Sequence, residues 1–200
     1  MRNEWETVLL VLCVLIGDAN NLLLQQQETS STAQMISGDV FFEIIDPMEL
    51  EYTYRLRPAK DFGAPFDSTF HMKNVPLVPV KPKFGCSALR NAHQIDGNVA
   101  FIERGECSFK VKTVVAARAG ARAVIITDTT VANEDYFIEM IDDDPDEDVN
   151  IPAAFLMGKN GVMIVETLRK LKLTHALINM PVNLTFIPVH KVNQPPWLDW

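Results

Sequence analysis

The chain has 200 residues, 48% of them hydrophobic, and a formal charge of -8 at pH 7. That length supports one domain with a buried core and is short for two. The acidic balance argues against nucleic acid as a partner, because binding it needs a clustered basic surface. The densest basic stretch, "LRKLK" around Arg169, reads as a solvated helix end.

In chain order, "MRNEWE" precedes the apolar run "TVLLVLCVLIG", with Gly17 and Ala19 at the minus-three and minus-one positions of a cut after Ala19. This is the pattern of a cleaved signal peptide over residues 1–19, and the run is too short to span a bilayer. Its removal takes away Glu4, Glu6, Asp18 and Arg2, so the formal charge goes from -8 to -6. A product soluble in the secretory pathway or outside the cell, with no membrane span, is expected. Residues 20–37, "NNLLLQQQETSSTAQMIS", are polar and without period, and read as a flexible lead-in.

From Val40 the pattern changes. "VFFEII" and "LEYTYRL", separated by the turn-prone "DPM", predict an opening hairpin or two neighbouring strands. "PAKDFGAPFD" and "VPLVPVKPKFG" are rich in Pro and Gly and predict an ordered, irregular loop leading to Cys86. "NVAFI" is strand-like. Ser108 is placed to cap a helix over Phe109–Ala119 that presents Val111, Val114, Val115 and Ala119 on one stripe, with Gly120 just past its end. "AVIIT", residues 123–127, is a short apolar strand, so strand, helix and strand make a parallel βαβ unit. A second unit begins at "IPAAFL", with Asn160 as helix cap and Val162, Val165, Leu168 and Leu171 as the stripe. "HALINMPVNLTFIPV" supplies further strand-like sequence, and the tail "NQPPWLDW" reads as extended.

Hydrolase signatures are missing: there is no GxSxG elbow, no HExxH zinc site and no Gly-rich phosphate loop. His71, His93, His175 and His190 are scattered without metal-ligand spacing. Cys107 stands one residue before the helix start, where amide dipoles acidify a thiol. It is therefore either a nucleophile, with His93 or His175 as base, or half of a disulfide. Cys13 leaves with the leader, so only Cys86 and Cys107 remain, and an isolated pair in an oxidising compartment is more often bonded. Closing the interval between them stabilises the fold by about 3 kcal/mol on the chain-entropy relation.

Three further features bear on function. The acid run "DDDPDED", residues 142–148, lacks the glycine a calcium loop needs at its sixth position, which is Glu147 here, and reads as a solvated loop with calcium binding as the alternative. Between the strand at 123–127 and "IPAAFL", a loop carries Tyr136, Phe137, Ile138, Met140 and Ile141. These side chains are either tucked over the core or held out as a partner contact. Asn183, in "NLT", is the only N-glycosylation sequon. No residue is assigned a catalytic role, and no metal or cofactor is expected.

The stretch "ERGECSFKVKTVVAARAGARAVIITD", followed later by "IPAAFLMGKNGVMI", resembles the core of the protease-associated domain family. "PAKDFG", "YFIEMI", "PVNLT" and "QPPW" extend the resemblance to a small secreted glycoprotein of that family, so that it covers residues 38–200 as a single domain. The resemblance implies an α/β fold, a compact open β-barrel or sandwich flanked by helices. It also implies a non-catalytic module that binds a protein or peptide partner or regulates substrate access. Such domains occur as insertions in zinc exopeptidases and subtilisin-like proteases, in vacuolar sorting receptors and in membrane-bound ubiquitin ligases. Carried onto this chain, it puts Arg104 and Gly105 in the turn before the helix, pairs Cys107 with Cys86, and makes Asn183 the glycosylated asparagine.

Overall fold

Residues 38–130, 137–142 and 148–198 are described by the computed structural model; residues 1–37, which carry the expected signal peptide and lead-in, Tyr136 and residues 143–147 of the acid run lie outside them. Val40–Asp46 (β1) and Thr53–Pro58 (β2) form the expected hairpin, with Phe42 opposite Tyr54 and their rings stacked at 5.0 Å. The connection contains a 3-10 turn, Met48–Leu50, and the buried Tyr54 hydroxyl donates to Leu50 C=O at 2.9 Å. Burial, with nearby Tyr52, pushes that phenol well above the ordinary tyrosine range.

The Pro-rich stretch departs from expectation. Met72–Pro79 (β3) is a full strand, antiparallel to one neighbour and parallel to another. The fixed φ of proline lies inside the extended region, so Pro76 and Pro79 cost ladder donors without bending the chain away. Val75 and Leu77 meanwhile bury their side chains in the core. The missing donors made the segment look like a loop, and the alternating apolar side chains decide that it is a strand.

A four-residue helix, Ala92–Ile95 (α1), leads to Val99–Glu103 (β4), Phe109–Arg118 (α2) and Ala123–Thr127 (β5). The expected parallel βαβ unit is present, with Phe101 opposite Ile125. Ser108 Oγ caps α2 by accepting the Val111 N–H, and Gly120 follows at φ 84. Ala153–Leu156 (β6) lies parallel to β5, Gly158–Leu171 (α3) follows, and Ala176–Met180 (β7) returns antiparallel to both β1 and β3. The cap of α3 is Met157, not Asn160: Asn160 is buried and its Oδ1 accepts the Trp197 indole N–H at 2.9 Å. The expected extended tail accordingly turns at Pro195–Leu198, where Trp197 also meets Tyr52 edge-on at 5.3 Å.

Strand order is β1-β2-β6-β5-β4-β3-β7, closed by β7 on β1. The compact α/β barrel with flanking helices is thus as expected, with the seam shut. Along β4, β5 and β6 alternate residues divide between two apolar clusters: Val99, Phe101, Ala123, Ile125, Ala154 and Leu156 turn one way, and Ala100, Ile102, Val124, Ile126, Ala153 and Phe155 the other. The first cluster draws on every strand and fills the barrel, with Ile164 and Leu168 of α3 packed into it. The second is the outer face under α2. Strands buried on both faces read as continuous apolar runs, which is why "AVIIT" was legible without alternation. Residues 184–192 form a separate short unit, with a 3-10 turn at Val189–Lys191 and Phe186 97% exposed at φ 68.

Candidate functional site

The segment joining β4 to α2 and the segment following β3 come together at the end of the parallel strands. Gly105 (φ 126) and Glu106 (φ 65) both take left-handed backbone, turning the chain so that Cys107 faces Cys86. A Cβ on Gly105 would stand 3.1 Å from the Phe84 ring, a tight contact, and the positive φ there already favours glycine. The two sulfurs are bonded at 2.06 Å. The pairing implied by the resemblance is therefore formed, and Cys107 does not stand as a free nucleophile. Its sulfur contacts a lysine, and no hydrogen bond joins it to His93 or His175 among the described residues.

That lysine, Lys112, was not singled out by sequence reasoning. It lies on α2, is fully buried, and its Nζ donates to Phe84 C=O and Gly105 C=O, each at 2.6 Å. Cys107 Sγ is 3.6 Å away and Cys86 Sγ 3.7 Å. Burial pushes the ammonium down to about 8, with Glu106 and Glu103 pulling the other way. No sequence signal marked it: the expected stripe ran through Val111, Val114, Val115 and Ala119, whereas α2 buries Lys110, Lys112, Thr113, Val114 and Ala116, and Lys110 pairs with Asp142 at 2.9 Å.

Around this centre runs a polar rim at the C-terminal ends of β4 and β5. Lys83 bonds Glu103 at 2.8 Å, Thr129 donates to the same carboxylate at 2.6 Å, and Arg104 pairs with buried Asp128 at 2.7 Å. These ends are where open parallel sheets bind ligands, but here each of these groups has an internal partner.

Of the loop residues, Met140 is 2% exposed and sits in the outer cluster, and Phe137 and Ile138 pack against that cluster. The Phe137 ring lies under the Arg57 and Arg55 guanidinium groups, 4.8 and 5.3 Å from their carbons. Glu139 pairs with Lys60. The tucked alternative describes Phe137 and Met140, whose apolar side chains gain more from burial than from water. Ile141 is 59% exposed, and Tyr136 lies outside the described residues.

Asn183 and Thr185 are both exposed. Just before Asn183 lies a groove of about 290 Å³ lined by Glu43, His71, Met72, Lys73, Asn179 and residues 180–182. Asn179 organises its wall, donating to Glu43 Oε1 at 2.7 Å and accepting the Asn74 N–H at 2.8 Å. No group of three or more metal-ligating side chains occurs among the described residues, and no helix among them is long and apolar enough to cross a membrane.

Residues 73–164, from β3 into α3, match the PA domain family. A PRADC1-like protein of Drosophila melanogaster is 56% identical over 172 residues, 85% of this chain and 87% of that protein. The ER degradation-enhancing alpha-mannosidase-like protein 3 of Homo sapiens is 33% identical over 103 residues, half of this chain but 11% of the longer protein. Among solved structures, an aminopeptidase from Aneurinibacillus sp. strain AM-1 is similar over 72% of this chain and 30% of its own, with a TM-score of 0.48 and 19% identity. The chain belongs to the PA domain family, together with the PRADC1-like protein.

Proposed function

We propose that this protein is a secreted, N-glycosylated PA domain that acts without catalysis by binding a protein or peptide partner. The observation that carries the reading is the Cys86–Cys107 bond. It engages the one nucleophile candidate the sequence offers, and such bonds persist in oxidising compartments. The exposed sequon at Asn183 and the leader-like residues 1–19 point along the same route. The human relative is named for degradation in the ER, a compartment on that route.

The closed barrel constrains how a partner is met. Among the described residues every strand is paired on both sides, so they offer a peptide no free sheet edge to extend. Contact falls to loops and to the groove beside Asn183, whose Lys73 and His71 are exposed cationic or titratable groups over an apolar floor of Met72 and Met180.

Intact-mass measurement of protein collected from culture medium tests the reading. The expected product begins near Asn20, loses one glycan to glycosidase treatment, and takes up no alkylating reagent when folded. Protein held in the cytosol with residues 1–19 attached, or a labelled Cys107 in the secreted form, would overturn it.

A further inference from the structure

Lys112 is sealed from solvent and lies directly against the bridge. Its Nζ sits between the two cysteine-bearing segments, bonded to a carbonyl on each and 3.6–3.7 Å from both sulfurs. A buried ammonium is costly unless something charged or strongly polar needs it, and a neutral side chain with two donors would satisfy Phe84 and Gly105 equally well. What a cation adds is stabilisation of a thiolate at either sulfur. Both cysteines are half-buried, while the lysine against them is fully buried.

We propose that the Cys86–Cys107 bridge is a thiol–disulfide exchange site for an external dithiol, with the Lys112 ammonium as the positioning group that stabilises the departing thiolate. In the first step a thiolate of the dithiol attacks one cysteine sulfur. The S–S electron pair leaves on the other sulfur, which becomes a thiolate beside Nζ. The second thiol of the reagent gives its proton to solvent, attacks the mixed disulfide and releases the first cysteine. The reagent is oxidised to its own disulfide by two electrons and the bridge is reduced by the same two. One cysteine takes a proton from solvent, and the other remains a thiolate against the ammonium.

Opening the bridge leaves the two segments tied. The Lys112 bonds to Phe84 and Gly105 remain, as does the Glu103 N–H bond to Lys83 C=O at 3.0 Å. The charged groups facing the centre are Glu103 from β4, Glu106 from the turn and Lys83 from the segment after β3, while Lys110 of α2 is turned to Asp142. The acids hold Lys112 charged at neutral pH, and Lys83 is occupied by Glu103.

Two measurements test this. Reduction of the folded wild-type protein by dithiothreitol at pH 7 is followed by alkylation and intact mass, beside Lys112→Gln, which keeps a donor and removes the charge. Wild type is expected to open several-fold faster, because a more acidic leaving thiol departs faster with a fractional dependence on its acidity, and to keep its circular dichroism when open. Equal rates, or loss of the folded spectrum on reduction, overturn the proposal. The second measurement does not depend on Lys112→Gln folding. In Cys86→Ser the lone Cys107 thiol is alkylated across pH, and its midpoint is expected at least one unit below the ordinary thiol value of about 8.5. A midpoint at or above that value also overturns it.

Discussion

Gly161→Ala is the substitution whose effect the packing specifies most directly. A Cβ built at Gly161 falls 2.0 Å from Thr127 Oγ1, 2.6 Å from its Cγ2 and 2.7 Å from its Cβ. Rotating the threonine does not clear the clash, because the Cβ of Thr127 is itself too close. The first turn of α3 must therefore move off β5 until 2.0 Å becomes at least the 3.4 Å of ordinary contact. Overpacking of this kind costs about 1–3 kcal/mol. Because the shift exceeds that of an added methylene in a yielding core, the upper part of that range applies, and the better helix propensity of alanine returns about 1 kcal/mol. A net loss of about 2 kcal/mol is expected, or a fall of roughly 4–8 °C in Tm for a domain of this size. Thermal and denaturant unfolding of Gly161→Ala, Thr127→Ala and the double variant measure it. The double variant should recover part of the loss, with a coupling of at least about 0.5 kcal/mol. A single variant that melts at or above the wild-type temperature refutes the reasoning.

Other consequences follow from the same packing. Thr127 Oγ1 is buried without a hydrogen-bond partner among the described residues, so Thr127→Val should leave stability unchanged or raise it by up to about 1 kcal/mol, as urea midpoints will show. Cys86→Ser and Cys107→Ser should each lower stability by a similar amount, about 3 kcal/mol for a bridge of this 21-residue separation; clearly unequal losses by denaturant unfolding would contradict a role as one shared tie. Lys112 has a folded value of about 8, below the ordinary lysine value of 10.5, so the unfolded chain binds more protons between those limits. Its cost is full below pH 8 and shrinks as pH rises, adding about 2 kcal/mol of stability between pH 7 and 9.5. Lys112→Met should lack that slope when unfolding is measured across this range. Tyr54 acts oppositely: its raised value keeps it protonated in the fold, so its contribution is lost only as pH climbs past the ordinary tyrosine range.

Local chemistry made a large part of this molecule readable in one dimension. The hairpin, the βαβ unit with its Ser108 cap and Gly120 stop, and the paired cysteines all rest on neighbours within a few residues or on a count of two. The sequon needs only its three residues in the sequence. What the chain alone left undecided depends on contacts between distant segments. The Pro-rich stretch became β3 because β4 and β7 flank it and the barrel needs Val75 and Leu77 inside. Asn160 gave up its capping role because Trp197, 37 residues later, takes its side chain. The choice between a tucked and a held-out Met140 was open because the outer apolar face it covers exists only once β3 to β6 are assembled. Lys112 carries the same lesson: a lysine in a helix reads as solvated, and only the meeting of the Phe84 and Gly105 carbonyls with two sulfurs creates a buried place where a cation is held. Period and capping act over one helical turn, whereas burial is a property of the closed barrel.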